Sequence, residues 1–310
     1  MVHQHDPKSS QVHAPHDVQR GSLKTVLFFS LTYMVAELVG GILSGSLSLI
    51  ADAGHMLIDS LAILIGLVAV WLTNRPASLK RTYGYHRAEI LAALLNGSLL
   101  ILISFWIFYE AWDRFRNPNP INAVAMLGVA IGGLFVNLFS LLVLKKHSHE
   151  GVNMRGVWLH VLSDTLGSVS AIIAAVLVMF FGWTQADAVT SSIIAFLILR
   201  GAWVLVVECV DVLLESTPRG LDIADIRNSL CAVNGIDDVH DLHVWTVKSG
   251  TFSFSAHVRV KEGFEQAGLL TELTALMENK FGICHTTIQL ETVGFKHEGD
   301  EFKECNLGRV

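Results

Sequence analysis

The sequence predicts an α-helical membrane protein: six transmembrane helices followed by a small α+β cytoplasmic domain of αββαβ order. Three observations carry that reading. Of the 310 residues, 52% are hydrophobic and 16% charged, and the mean hydropathy is +0.49, values typical of a membrane body that carries a polar domain. The apolar residues gather in six stretches long enough to cross a hydrocarbon core as helices, which takes about 20 residues each. Past the last stretch, the pattern changes to short segments of helical and two-residue period.

The spans run from Thr25 to Leu43, Leu47 to Leu72, Ala88 to Trp112, Ile121 to Leu144, Val157 to Phe181 and Ala186 to Val210. Basic residues set their orientation. Lys8, Arg20 and Lys24 precede the first span; Arg75, Lys80, Arg81 and Arg87 follow the second; Lys145, Lys146 and Arg155 follow the fourth. The other side has Arg114 and Arg116, so the positive-inside bias places both termini in the cytoplasm. The expected boundaries are a disordered tail over residues 1–23, a membrane domain over 24–212, a cytoplasmic domain over 213–295 and a flexible end over 296–310. The first tail shows no cleavable signal peptide and carries His3, His5, His13 and His16, which suit either loose metal collection or a plain polar leader. Gly41, Gly45, Gly128, Gly132 and Gly167 mark places where helices can approach closely.

In the cytoplasmic domain, Ile223, Ile226 and Leu230 give Leu221 to Val233 a helical period. Ile236 to Val247 reads as a strand, Ser249-Gly250 as its turn and Thr251 to Lys261 as the hairpin partner. The partner strand alternates, with Phe252, Phe254, Ala256, Val258 and Val260 on one face and His257 and Arg259 on the other. A helix from Gln266 to Phe281 and a strand from His285 to Val293 complete the order. Helices cover one sheet face, and the open face carries His257 and Glu291 beside His240 and His243. That face suits a second metal site, a dimer surface or ordinary solvated polar residues.

The formal net charge of −6 gives no basic footprint for nucleic acid, and the lipid bilayer is the dominant partner. The four cysteines show no C-x-x-C spacing, so neither a disulfide framework nor a zinc ribbon is indicated.

The chemistry sits in one spacing that occurs twice inside apolar spans. His55 and Asp59 lie in the second span, His160 and Asp164 in the fifth. Residues four apart on a helix share a face, with Cβ atoms about 5 to 6 Å apart. An ionisable side chain at a helix centre costs roughly 2.5 to 3.5 kcal/mol on insertion scales, so such groups normally face a bundle interior. One such pair is compatible with a wet crevice; two pairs offer two imidazoles and two carboxylates, a tetrahedral set suited to zinc. Glu37, Asp52, Asn96 and Asn137 are further polar groups within spans; Asp52 suits an ion route, and the asparagines suit interhelical hydrogen bonds.

The same donors predict coupling to protons. Two ionised carboxylates in a low-dielectric pocket repel and lose hydration, so an empty site takes up protons, whereas metal binding releases them. Exchange keeps the pocket near neutrality in both states, which favours antiport, with the ligand-bearing helices tilting to open the site to one side at a time. Magnesium and calcium prefer all-oxygen shells and copper(I) prefers sulfur, so zinc fits best, with cadmium and cobalt as companions.

The run from Leu47 to Asp59, the run from Tyr83 to Gly97 that opens Tyr83-Gly84-Tyr85-His86-Arg87, the pair His160 and Asp164, and Val239-His240-Asp241-Leu242-His243-Val244-Trp245 together resemble the cation diffusion facilitator family. The similarity runs from about Leu23 to Val293 and is nearest to the family's bacterial zinc, cadmium and cobalt exporters. It implies a homodimer of the inner membrane, with a metallochaperone-like cytoplasmic domain, that exports divalent metal in exchange for protons. It places His55, Asp59, His160 and Asp164 as transport ligands and His240, His257 and Glu291 as cytoplasmic metal ligands, where zinc is regulatory. His86 stands near a loop metal site of some members, without its acidic and His partners. Gln289 stands where some relatives have His, and His147 and His149 resemble a reduced form of a His-rich loop. Two other classes stay open. A non-transporting zinc sensor or scaffold needs the cytoplasmic residues alone. A zinc hydrolase needs an open coordination position and a motif such as H-E-x-x-H, which is absent.

Overall fold

The computed structural model describes residues 14–44, 47–117, 123–145, 148, 151–183 and 185–292; the side chains of residues 14–19, 37, 40, 41, 43, 44, 47–55, 58, 123, 125 and 129 lie outside that description. The chain divides into two compact units, Met1–Cys209 and Val210–Val310.

The first unit is helical: α1 Ala14–Ser44, α2 Leu47–Thr73, α3 Arg87–Arg116, α4 Ala123–Lys145, α5 Val152–Phe181 and α6 Ala186–Leu213. Among the described residues, four helices are long and apolar enough to cross a membrane: Arg87–Arg116, Met126–Lys145, Val152–Phe181 and Ala186–Leu213. The described part of α2, Asp59–Thr73, is a shorter apolar helix. Large apolar side chains point outward all along these helices, among them Phe105, Trp106, Phe135, Phe180 and Trp203, each more than half exposed. So wide an apolar surface fits lipid and not water. Arg75 over Trp71 and Arg116 over Trp112 pair a cation with an aromatic ring near helix ends, the composition of an interfacial belt.

The helix α1 begins at Ala14, well before the apolar stretch. Leu23 and Val26 explain the extension: both are fully buried in a core shared with Ile63, Val70, Leu144, Met154 and Val157. Hydropathy marks where lipid begins, not where backbone hydrogen bonding does. His3, His5 and His13 lie outside the described residues, as does the side chain of His16.

The expected glycine contacts are only partly found. Gly132 packs against the Tyr33 ring, but a methyl group on Gly128 or Gly167 meets nothing within 4 Å. Gly41 and Gly45 lie outside the description. A close approach of α2 and α5 is at Gly66, where a Cβ would stand 2.6 Å from Val157 Cγ2, so the two helices touch there at a spacing only glycine permits.

The second unit contains α7 Ile223–Cys231, β1 Ile236–Lys248, β2 Thr251–Val260, α8 Gln266–Phe281 and β3 His285–Thr292. The sheet order is β1-β2-β3, with β1 antiparallel to β2 and β2 parallel to β3. Parallel neighbours need a crossover, which α8 supplies. Asp222 caps α7 by accepting from Ala224 N at 2.8 Å, and Gly282 (φ 68°) ends α8 in a left-handed turn. Phe254, Ala256, Val258 and Val260 face Ile226, Leu230, Leu269, Leu273 and Met277, so both helices cover one sheet face. Removing the cap by Asp222→Ala should lower the opening free energy of α7, read by amide hydrogen exchange, by about 1 kcal/mol.

Candidate metal centres

The helices α2 and α5 meet along matched faces. On α5, Asn153, Val157, His160 and Asp164 fall three or four residues apart and share one stripe; on α2, Asp59, Ala62, Gly66 and Val70 do the same. Two amides hold α2 in place by donating to its carbonyl oxygens. Asn153 Nδ2 donates to Gly66 O at 3.0 Å, and Asn96 Nδ2 on α3 donates to Ala62 O at 3.4 Å. Ser30 and Ser60 hydroxyls, 3.2 Å apart, tie α1 to the same helix.

This packing brings three of the expected transport residues together. His160 Nε2 lies 3.3 Å from Asp59 Oδ1 and 3.9 Å from Asp164 Oδ2. One donor atom from each of the three lies within 4.8 Å of the other two. His160 is 2% exposed, its Nε2 faces the Asp59 and Asp164 carboxylates, and among the described residues its Nδ1 has no hydrogen bond. A buried imidazole gathered with two carboxylates offers the mixed nitrogen and oxygen donors that a divalent metal takes. Donors about 2.0 Å from a tetrahedral zinc stand about 3.3 Å from one another, close to the His160–Asp59 separation. The backbone of His55 lies on α2 one turn before Asp59, and its side chain lies outside the described residues, as does that of Asp52.

A second cluster lies on the open face of the sheet. His240 Nε2 is 3.4 Å from Glu291 Oε2, and His257 Nδ1 is 3.0 Å from Glu291 Oε1. The two imidazole rings stand 5.5 Å apart, nearly edge to face. Glu291 is 2% exposed, although its strand position suggests a solvated polar row. The rings of His240 and His257 and the side chain of Gln289 shield it; Gln289 Nε2 donates to Glu291 Oε1 at 3.2 Å. The residue that departs from the resembled pattern thus supports the cluster.

His86 occupies the N-cap position of α3 and belongs to neither cluster of three His, Cys, Asp or Glu donors among the described residues. His147 and His149 lie outside the described residues. Sequence reasoning missed Asn153, whose signal is its place seven residues before His160 on the same face. It missed also Asp241, which sits between His240 and His243 in a strand where strict alternation turns it away from His240 and His257.

The chain matches a family model described as "Cation efflux transmembrane domain" over residues 23–214 and one described as "Cation efflux protein, cytoplasmic domain" over residues 218–293. It is 41% identical over 292 residues to the "Cadmium, cobalt and zinc/H(+)-K(+) antiporter" of Bacillus subtilis (strain 168), covering 91% of this chain and 94% of that protein. It is 40% identical over 293 residues to the "Zinc transporter ZitB" of Shigella flexneri, covering 94% of this chain and 93% of that one. Identity to the "Metal cation efflux system protein CzcD" of Cupriavidus metallidurans is 40% over 271 residues, or 87% and 86% of the two chains. Among solved structures, the metal-bound C-terminal domain of the CzcD transporter is 35% identical over 23% of this chain and 99% of that one, with a TM-score of 0.22. With its membrane helices and its sheet domain each matched, and relatives aligned over most of its length, the chain belongs to the cation efflux family.

Proposed function

We propose that this chain exports zinc, with cadmium and cobalt as further substrates, from the cytoplasm across the inner membrane in exchange for protons. The observation that carries the reading is the meeting of Asp59, His160 and Asp164 across α2 and α5, with the buried His160 imidazole facing both carboxylates. His55 supplies the fourth ligand in this reading, giving two imidazoles and two carboxylates around one ion. The names of relatives over most of the chain, which specify zinc, cadmium, cobalt and H(+), support the substrates and the counter-ion.

In this scheme, α1 to α6 are six spans with both termini cytoplasmic. The membrane domain occupies residues 24–212, and the chain works as a homodimer. The match of the second unit to a cytoplasmic domain supports the side on which it lies. His240, His257 and Glu291 hold a regulatory zinc there. Glu291 fits that role because a buried carboxylate flanked by two imidazoles offers the mixed oxygen and nitrogen donors that zinc accepts. Asn153, Val157 and His160 of α5 are buried and Val157 packs against Gly66 of α2, so these two helices tilt together as one unit within the bundle to open the site.

The transport step follows from the donors. Metal enters as a divalent ion, displaces protons held by the carboxylates and takes the His160 lone pair. Protons arriving from the outer side reload the carboxylates and release the ion there. In proteoliposomes, zinc flux should follow an imposed pH gradient and vanish when that gradient is collapsed with a protonophore. Flux unchanged by collapse contradicts proton exchange. Substituting the membrane cluster and the cytoplasmic cluster separately discriminates a transporter from a sensor: a transporter loses flux with the first set and retains its flux capacity with the second.

A further inference from the structure

The strand β1 contains one residue in the left-handed region, Asp241, with φ of 48°. The register explains its position. His240 pairs with His257 and His243 with Ser255, so the three steps along β1 face two along β2, and a bulge falls at Asp241 and Leu242. In an unbroken strand, His240 and Asp241 point to opposite faces. Here the bulge returns the Asp241 carboxylate to the face that bears the histidines. Its Oδ1 lies 2.9 Å from His243 Nε2 and its Oδ2 lies 3.6 Å from His257 Nε2.

His257 is therefore bracketed by two carboxylates, one at each ring nitrogen: Glu291 at Nδ1, 3.0 Å away, and Asp241 at Nε2. A neutral imidazole carries one N–H and one lone pair, and the hydrogen bond at one nitrogen decides which nitrogen is left to ligate. Metal-bound histidines commonly give their other N–H to a carboxylate, which fixes the tautomer and raises ligand basicity. Left-handed backbone in a non-glycine residue is uncommon and gathers at ligand clamps, although aspartate tolerates it better than most side chains.

We propose that Asp241 is a positioning residue of the cytoplasmic metal centre. Its negative charge, 3.6 Å from Nε2, favours the tautomer that carries the proton there once a metal ion takes Nδ1 beside Glu291, and His243 holds the Asp241 carboxylate in place. The inference rests on the reading of His240, His257 and Glu291 as a zinc site. The strand bulge is the backbone device that serves it.

The test uses the full chain with Asp59→Asn and Asp164→Asn, which silences the membrane cluster, and adds Asp241→Gly or Asp241→Asn. Glycine adopts the same φ without the carboxylate; asparagine keeps the shape and an acceptor but not the charge. Zinc affinity is read by competition with a chromophoric chelator, the cobalt(II) ligand-field spectrum reports the donor set, and hydrogen exchange across β1 and β2 reports the fold. Zinc affinity should fall tenfold or more in Asp241→Gly and less in Asp241→Asn, with a shifted cobalt spectrum and unchanged exchange protection. Affinity within twofold of the parent in the glycine variant overturns the proposal, and so does a loss of affinity accompanied by lost protection. A parent that binds no zinc, or whose binding survives His257→Ala, sinks the metal reading of this domain and the present inference with it. A parent that binds at His257 while Asp241→Gly changes nothing sinks the inference alone.

Discussion

Alanine at Asp164 is expected to reduce zinc flux to the leak of empty vesicles, with the protein still inserted and folded. Asp164 and His160 lie one turn apart on α5, and Asp59 faces them from α2, so each side chain is one of three donors within 4.8 Å. Removing one partner from a buried set of charges costs about 3 to 5 kcal/mol, more than a hundredfold in affinity. Alanine deletes atoms without adding bulk, so helix packing survives. His160→Ala and Asp59→Ala should behave alike. Flux in proteoliposomes measures the loss, and gel filtration of the detergent-solubilised protein reports folding. Wild-type flux in any of the three would remove that residue from the site.

The second large effect concerns no ligand. Gly66→Ala should lower zinc flux about tenfold, because the added methyl group stands 2.6 Å from Val157 Cγ2. Val157 is fully buried and β-branched, so it has no rotamer to retreat into. The helices must part by a few tenths of an ångström, at a cost of about 1 to 3 kcal/mol, and Asn153 Nδ2 lies beside the same contact. Parting α2 from α5 moves Asp59 away from His160, and small misplacements of reacting groups carry large penalties. Pairing it with Val157→Ala frees the space and should restore most of the flux. Equal flux in Gly66→Ala and wild type would show that this contact does not set the site.

Much of the site was legible in the sequence because helical geometry is local. Four-residue spacing fixes a shared face whatever the surroundings, so His160 and Asp164 were readable without a partner helix. The meeting with Asp59 was not readable in that sense: it depends on Gly66 and Asn153, whose roles appear only when α2 lies against α5, and on Asn96, whose interhelical hydrogen bond was expected but whose acceptor, Ala62 O, was not. The glycine spacing pointed to Gly132, which packs against Tyr33, but also to Gly128 and Gly167, where a Cβ would meet nothing within 4 Å, because spacing records what a helix permits and not what its neighbour does. In the sheet domain, α8 runs from Gln266 to Phe281 as the apolar period indicates, since turn residues bound it on both sides. Asp241 escaped because strand alternation assumes an unbroken ladder, and the bulge that breaks it has no glycine to announce it. Burial of Glu291 escaped for a related reason: its cover comes from His240 on β1 and His257 on β2, distant in sequence.

One divalent ion held between α2 and α5 is the central claim, and zinc X-ray absorption tests it most directly. The sample is full-length protein with His257→Ala and Glu291→Gln, so that only membrane-bound zinc contributes. The account predicts one zinc per chain with about four nitrogen and oxygen donors near 2.0 Å and the multiple-scattering signature of imidazole. That zinc should be lost in His160→Ala. A shell of six oxygens without imidazole, or a spectrum unaltered by His160→Ala, would contradict it.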